Sequence, residues 1–210
     1  TLGGNLTLTA GTLAMGANGL SVAGNITRAA GLITSTGTVP LTGTVAAQSA
    51  DFTGSTLQNL TVNNTSGTPT VTLNNTAAFT WNGNLLLTAG TLVLANFTQT
   101  IGGNVSGAGT LNASAITGGN SLTVGGYMGT NALAVGARSA PSSAVLNVGS
   151  DWNVTAFTPN GGTVVFTGTG ILYSSTGFYN LGKSTGGATS YAAGTALSVA
   201  NNLTVSSGTL

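Results

Sequence analysis

The sequence predicts an all-β fold, a parallel β-solenoid (β-helix) with coils of roughly 20–24 residues, forming one repetitive unit over residues 1–210. Three observations predict it. A ten-residue unit recurs, an asparagine frame recurs at about coil length, and short runs of period two lie between turns rich in Gly, Asn and Ser.

The unit GNLTLTAGTL (Gly4–Leu13) returns as GNLLLTAGTL (Gly83–Leu92) and as NNLTVSSGTL (Asn201–Leu210). Around it runs a frame of apolar residue, spacer, Gly/Asn-Asn and apolar residue. It reads Leu2 to Leu6, Val22 to Ile26, Trp81 to Leu85, Ile101 to Val105 and Val199 to Leu203, with looser copies at Val124 and Val148. The first residues of these copies lie 20, 59, 20, 23, 24 and 51 apart, so four gaps are single steps and the other two read as multiples. A longer duplication lies over this: GSTLQNLTVNN (Gly54–Asn64) resembles STGFYNLGKST (Ser175–Thr185).

Between turns, runs such as Thr70–Leu73, Ser121–Val124 and Thr163–Phe166 alternate apolar and polar residues, the pattern of half-buried strands. Thr and Val suit such strands because branching at Cβ favours extended backbone. Gly-Asn, Asn-Gly and Ser-Gly read as tight turns in which Gly and Asn tolerate positive φ. No segment has a 3.6-residue apolar period. An immunoglobulin-like sandwich carries no 20-residue asparagine frame, and a membrane barrel needs longer strands with aromatic girdles. In a solenoid, Asn5, Asn25, Asn84, Asn104 and Asn202 are expected to form one structural ladder, each side-chain amide bonding to the next coil. Leu6, Leu8, Val22, Ile26, Trp81, Leu85, Leu87, Ile101, Val105, Val124, Val148, Leu203 and Val205 are expected to line the core. Residues 136–144, with Arg138 and Pro141, are expected to protrude as a loop.

Composition narrows the function. Only 2% of residues are charged and the net charge is +1, so no basic face is offered to nucleic acid or an anionic membrane. Mean hydropathy is +0.37 and 41% of residues are hydrophobic, which argues against disorder. No apolar run reaches the length of a membrane helix. The chain begins at Thr1 and stops at Leu210 inside a repeat, so a mature or excised part of a longer protein is expected.

The chemistry of catalysis is sparse. There is no His, Cys or Glu, and general acid–base work draws mostly on those types with Asp, Lys and Tyr. Asp51 and Asp151 are the only carboxylate pair. Their 100-residue separation, four to five coils, places them too far apart for glycoside hydrolysis. Both read as turn residues, Asp151 in the asparagine position of its repeat. No catalytic, cofactor-binding or metal-ligating residue is expected, since zinc wants Cys, His or several carboxylates and calcium solenoids repeat an Asp. An isopeptide between Lys183 and an Asn is the weakest alternative. The Asn-x-Ser/Thr sites at Asn5, Asn25, Asn59, Asn96, Asn104, Asn153 and Asn202 read as by-products of the repeat rather than glycan acceptors.

The alternation of GNLTLTAGTL with LSVAGN and LQNLTVNN resembles the β-helical shafts of large bacterial surface proteins, of the filamentous-haemagglutinin and autotransporter-passenger type. The resemblance implies secretion, extracellular or cell-surface display, and adhesion or scaffolding. A structural fibre or adhesin shaft is therefore the expected function. Its expected partners are other copies of itself or adjoining repeats of the same chain, joined end to end through strand edges, with a surface glycan as a further partner. Two alternatives remain open. Thr-x-Thr pairs at Thr7/Thr9, Thr36/Thr38, Thr42/Thr44, Thr68/Thr70/Thr72, Thr98/Thr100 and Thr167/Thr169 would suit an ice-binding face. Trp81, Trp152, Tyr127, Tyr173 and Tyr179 would suit a carbohydrate-binding surface.

Overall fold

The computed structural model describes residues 1–44, 47–66, 70–129, 138–139, 144–174 and 176–210. These residues form strands and turns only, stacked in about nine coils of a parallel β-solenoid. Each coil runs over three faces. The first is an eight-stranded parallel sheet: Leu6–Leu8, Ile26–Arg28, Ala47–Ala50, Thr70–Leu73, Thr91–Val93, Thr110–Asn112, Arg138–Ser139 and Phe157–Thr158. In the last two coils its place in chain order is taken by the pair Thr176–Phe178 and Leu197–Val199.

The other two faces belong to one sixteen-stranded sheet. In the early coils a single long strand crosses both, as Leu32–Leu41 and Thr56–Asn63 do. Beyond them each coil breaks into two strands. Phe79–Trp81, Gln99–Ile101, Ser121–Val124, Val145–Val148, Thr163–Phe166, Asn180–Lys183 and Leu203–Val205 stack on the second face. Leu85–Ala89, Val105–Ser106, Met128–Gly129, Trp152–Asn153, Gly170–Leu172 and Thr189–Tyr191 stack on the third. The break comes where the sequence places glycines after the apolar residue, as at Gly102-Gly103 and Gly125-Gly126.

Alternation builds the core, because successive side chains in a strand point to opposite faces. Val71, Leu92, Leu111, Leu122, Leu146 and Val164 point inward and are buried, while their strand neighbours face out. Aromatic rings thicken two levels: Phe52, Phe79 and Trp81 pack in one, and Trp152, Phe157, Phe166 and Phe178 in another.

Several expectations need correction. The inward column Trp81, Ile101, Val124, Val148, Phe166, Lys183 and Val205 advances by 20, 23, 24, 18, 17 and 22 residues, so coils are also shorter than 20. A coil shortens by trimming its corners while the strands keep their register. The 51-residue gap after Val148 hides Phe166 and Lys183, whose turns lack the asparagine motif, and Val199 belongs to another column, paired with Phe178.

Copies of the ten-residue unit also occupy different corners. Gly4–Leu13 carries the chain from the first face to the second, Gly83–Leu92 from the third to the first, and Asn201–Leu210 from the second to the third. One sequence serves three corners because all three make the same turn, with Gly11, Gly90 and Gly208 at φ of 77°, 85° and 80°.

Of the expected core residues, Leu203 and Val205 are 52% and 49% exposed and Leu6 is half-buried. Their register is inward, but no second coil covers them. Of the segment 136–144, Arg138–Ser139 does not protrude: it pairs on both sides within the first face, and Ala144 is buried. Backbone pairing holds it there without apolar alternation. Residues 136–137 and 140–143 lie outside the described residues.

Candidate functional site

The polar residues of the repeat sit at corners, where a turn leaves backbone N–H groups without a ladder partner. The Oδ1 of Asn5 accepts the N–H of Asn25 at 2.8 Å, and that of Asn25 accepts the N–H of Ser49 at 2.8 Å. At the corner between the second and third faces, Asn59 accepts from Asn84 and Asn84 from Asn104, both at 2.9 Å, and Asn104 from Tyr127 at 3.0 Å. Asn180 accepts from Asn202 at 3.3 Å at the corner before the second face. The five expected ladder residues therefore do not share one frame. They form three separate columns, one per corner, because the same motif turns the chain at each. The bond is also side-chain carbonyl to main-chain N–H, not amide to amide.

Asp151 stands in the asparagine position of the second column and accepts the N–H of Ile171 at 2.8 Å. Asp51 accepts the N–H of Thr53 at 2.8 Å, closing a local turn. The two lie four coils apart and at different corners. Arg28 Nε donates to the carbonyl of Gly31 at 2.9 Å. Lys183 takes an apolar position between Phe166 and Val205 and is fully buried. Its Nζ donates to the carbonyls of Gly168 and Thr185, at 2.9 and 2.8 Å, so it ties the corner rather than facing an asparagine. Among the described residues no group of three His, Cys, Asp or Glu gathers, and no helix is long and apolar enough to cross a membrane.

Two buried amides escaped the sequence reading. Gln48 is satisfied: its Nε2 donates to the carbonyls of Val22 and Gly24, and its Oε1 accepts from Gly43. Gln99 is fully buried between Phe79 and Leu122, and neither of its amide atoms has a hydrogen-bond partner among the described residues. Nothing in a polar-apolar pattern separates these inward glutamines from outward ones.

The candidate binding surfaces divide. Trp81 and Trp152 are fully buried and pack in the core. Tyr179 and Tyr191 are 40% and 38% exposed, and partial burial raises the Tyr191 phenol above its usual pKa. A groove of about 350 Å³ on the second face, over Gly182, is lined by Thr163, Val165, Asn180, Ser184, Asn202, Thr204 and Ser206, without an aromatic ring. The Thr-x-Thr pairs scatter over the faces, and Thr68 lies outside the described residues. A different set aligns. Thr34 pairs with Thr56, Thr56 precedes the Leu57 partner of Trp81, and Thr80 pairs with Thr100 and Thr100 with Thr123. These five make one outward column over five successive coils. The asparagine frame hid it, because that frame changes corner along the chain; aligning the strands themselves finds it. Of the Asn-x-Ser/Thr residues, Asn5, Asn25, Asn59, Asn96 and Asn104 spend their Oδ1 on coil-to-coil bonds.

No protein-family model matches the chain, and no curated protein or solved structure matches it significantly.

Proposed function

We propose that this chain is a structural segment of an extracellular or cell-surface fibre, a shaft of the filamentous-haemagglutinin or autotransporter-passenger kind. One observation carries the reading. Parallel pairing on the second face runs without interruption from Thr12–Gly16 to Leu203–Val205, and most of the corner asparagines are spent on joining coil to coil. Such a stack is stiff along its axis because each coil is bonded to the coils above and below. Its polar side chains serve the backbone, and its two carboxylates are turn residues held apart, which favours a structural role over a catalytic one.

The partners follow from the edges. An unpaired strand edge over an apolar core is a template for another strand. Leu203 and Val205 present inward-register side chains to such a partner. We assign that place to a further coil, supplied by adjoining repeats of the same chain or by another copy. Electron microscopy of the native particle that carries the chain tests the reading. A filament or rod of constant width supports it; a compact particle with the chain enclosed in a globular body overturns it.

A further inference from the structure

We propose that the second face is a lateral self-association surface, on which a second copy of this chain packs side by side through the threonine column. This rests on the shaft reading and extends it from single shafts to pairs.

Thr34, Thr56, Thr80, Thr100 and Thr123 stand at one residue per coil on the solvent side. On one flank lie Gly54 and Ala78, and on the other Gly102 and Gly125, all small and exposed. The column is therefore a low ridge on an otherwise flat strip. Above it the outward row continues as Asn147, Val165, Gly182 and Thr204, with no charged residue. The five charges of the chain lie elsewhere. Arg28 and Arg138 belong to strands of the first face, Asp51 and Asp151 to corners, and Lys183 points inward. This face thus lacks the charges with which exposed sheet surfaces usually repel one another.

The partner follows from periodicity. Threonine methyl and hydroxyl groups repeat with the strand spacing of about 4.8 Å, fixed by backbone pairing. A rigid row of that period interdigitates only with a row of the same period, and a second copy of the same face supplies one by construction. Symmetry then sets the contact. Two threonines lie on either side of Thr80, so a two-fold axis in the interface plane brings Thr80 against its own copy in either orientation. Eight coil steps of about 4.8 Å and a strip about five residues wide give roughly 600 Å² per copy. That is near 1,200 Å² in total, the lower bound for specific interfaces, so the pair is weak and reversible.

The test is sedimentation velocity of the 210-residue chain over a concentration series, with circular dichroism as a folding control. A closed dimer is expected, whose dissociation constant rises at least tenfold in Thr80→Lys/Thr100→Lys and stays unchanged in Thr7→Lys/Thr27→Lys on the first face. A chain that stays monomeric throughout, or an association indifferent to the Thr80/Thr100 pair, overturns the proposal. Because the natural sequence has no cysteine, Thr80→Cys gives an independent arm that tolerates a folding failure of the lysine variant. It is expected to form a disulfide-linked dimer at least tenfold faster than Thr7→Cys, and equal rates overturn the proposal. Filaments of single-coil width in the native particle would remove the lateral contact and leave the shaft reading standing.

Discussion

Two corners of the solenoid use glycine for opposite reasons. Between Leu6–Leu8 and Thr12–Gly16 the chain turns on Gly11, whose φ is 77° and around which a methyl group would meet nothing within 4 Å. Between the second and third faces the chain turns on Gly102, Gly125, Gly149 and Gly168, none of which has positive φ. There a methyl group on Gly125 would strike the carbonyl of Gly102, one on Gly149 that of Gly125, and one on Gly168 that of Gly149. The first corner needs glycine for a dihedral. The second needs it because successive coils approach too closely to admit a Cβ. The difference teaches that the stack is closest-packed along one spine, and that a glycine's cost of replacement depends on its corner.

Mutation breaks or sharpens this contrast. Gly149→Ala is expected to cost the most, about 3 kcal/mol or more, because the obstruction is backbone on a rigid ladder and neither side yields. Urea unfolding of the variant beside the parent measures it; a loss below that of Gly11→Ala would refute the spine. Trp152→Ala, which strips the ring from Phe157, Phe166 and Phe178, is expected to cost about 3–5 kcal/mol. It tests whether core packing matches the spine in weight, and thermal unfolding reads it. Gln99→Leu runs the other way. Its neighbours in the column are Phe79 and Leu122, and removing an unpartnered buried amide is expected to stabilise by about 1–3 kcal/mol. An unchanged or lowered denaturation midpoint would mean that the amide is satisfied after all. Gly11→Ala is expected to cost about 1 kcal/mol, the strain of a left-handed residue in open space. Asn84→Ala, which removes the acceptor for Asn104, is expected to cost a similar amount.

The solenoid class was legible because it follows from local signals. Alternation in Thr163–Phe166 or Ser121–Val124 makes strands whatever their neighbours, and a recurring unit makes a stack. What stayed hidden depends on which corner a copy occupies. Asn5 and Asn84 sit in the same motif, yet they head different columns, because three equivalent turns accept one sequence. Lys183 fills an inward position its sequence context does not announce, since its amine finds two carbonyls only once the coil closes. The threonine column was invisible for the same reason: its steps of 22, 24, 20 and 23 residues follow corner lengths, not a fixed period.

The most direct test of the stacked-coil account is a pair of distances along one outward row. Spin labels at Thr34 and Thr204 lie eight coils apart through Thr56, Thr80, Thr100, Thr123, Asn147, Val165 and Gly182. Pulsed electron–electron resonance on that pair is expected to give about 38 Å, and on Thr80 with Thr204, six coils apart, about 29 Å, in proportion to the strand spacing. Narrow distributions near these values support a rod of parallel coils. Distances that do not scale with the number of coils contradict it.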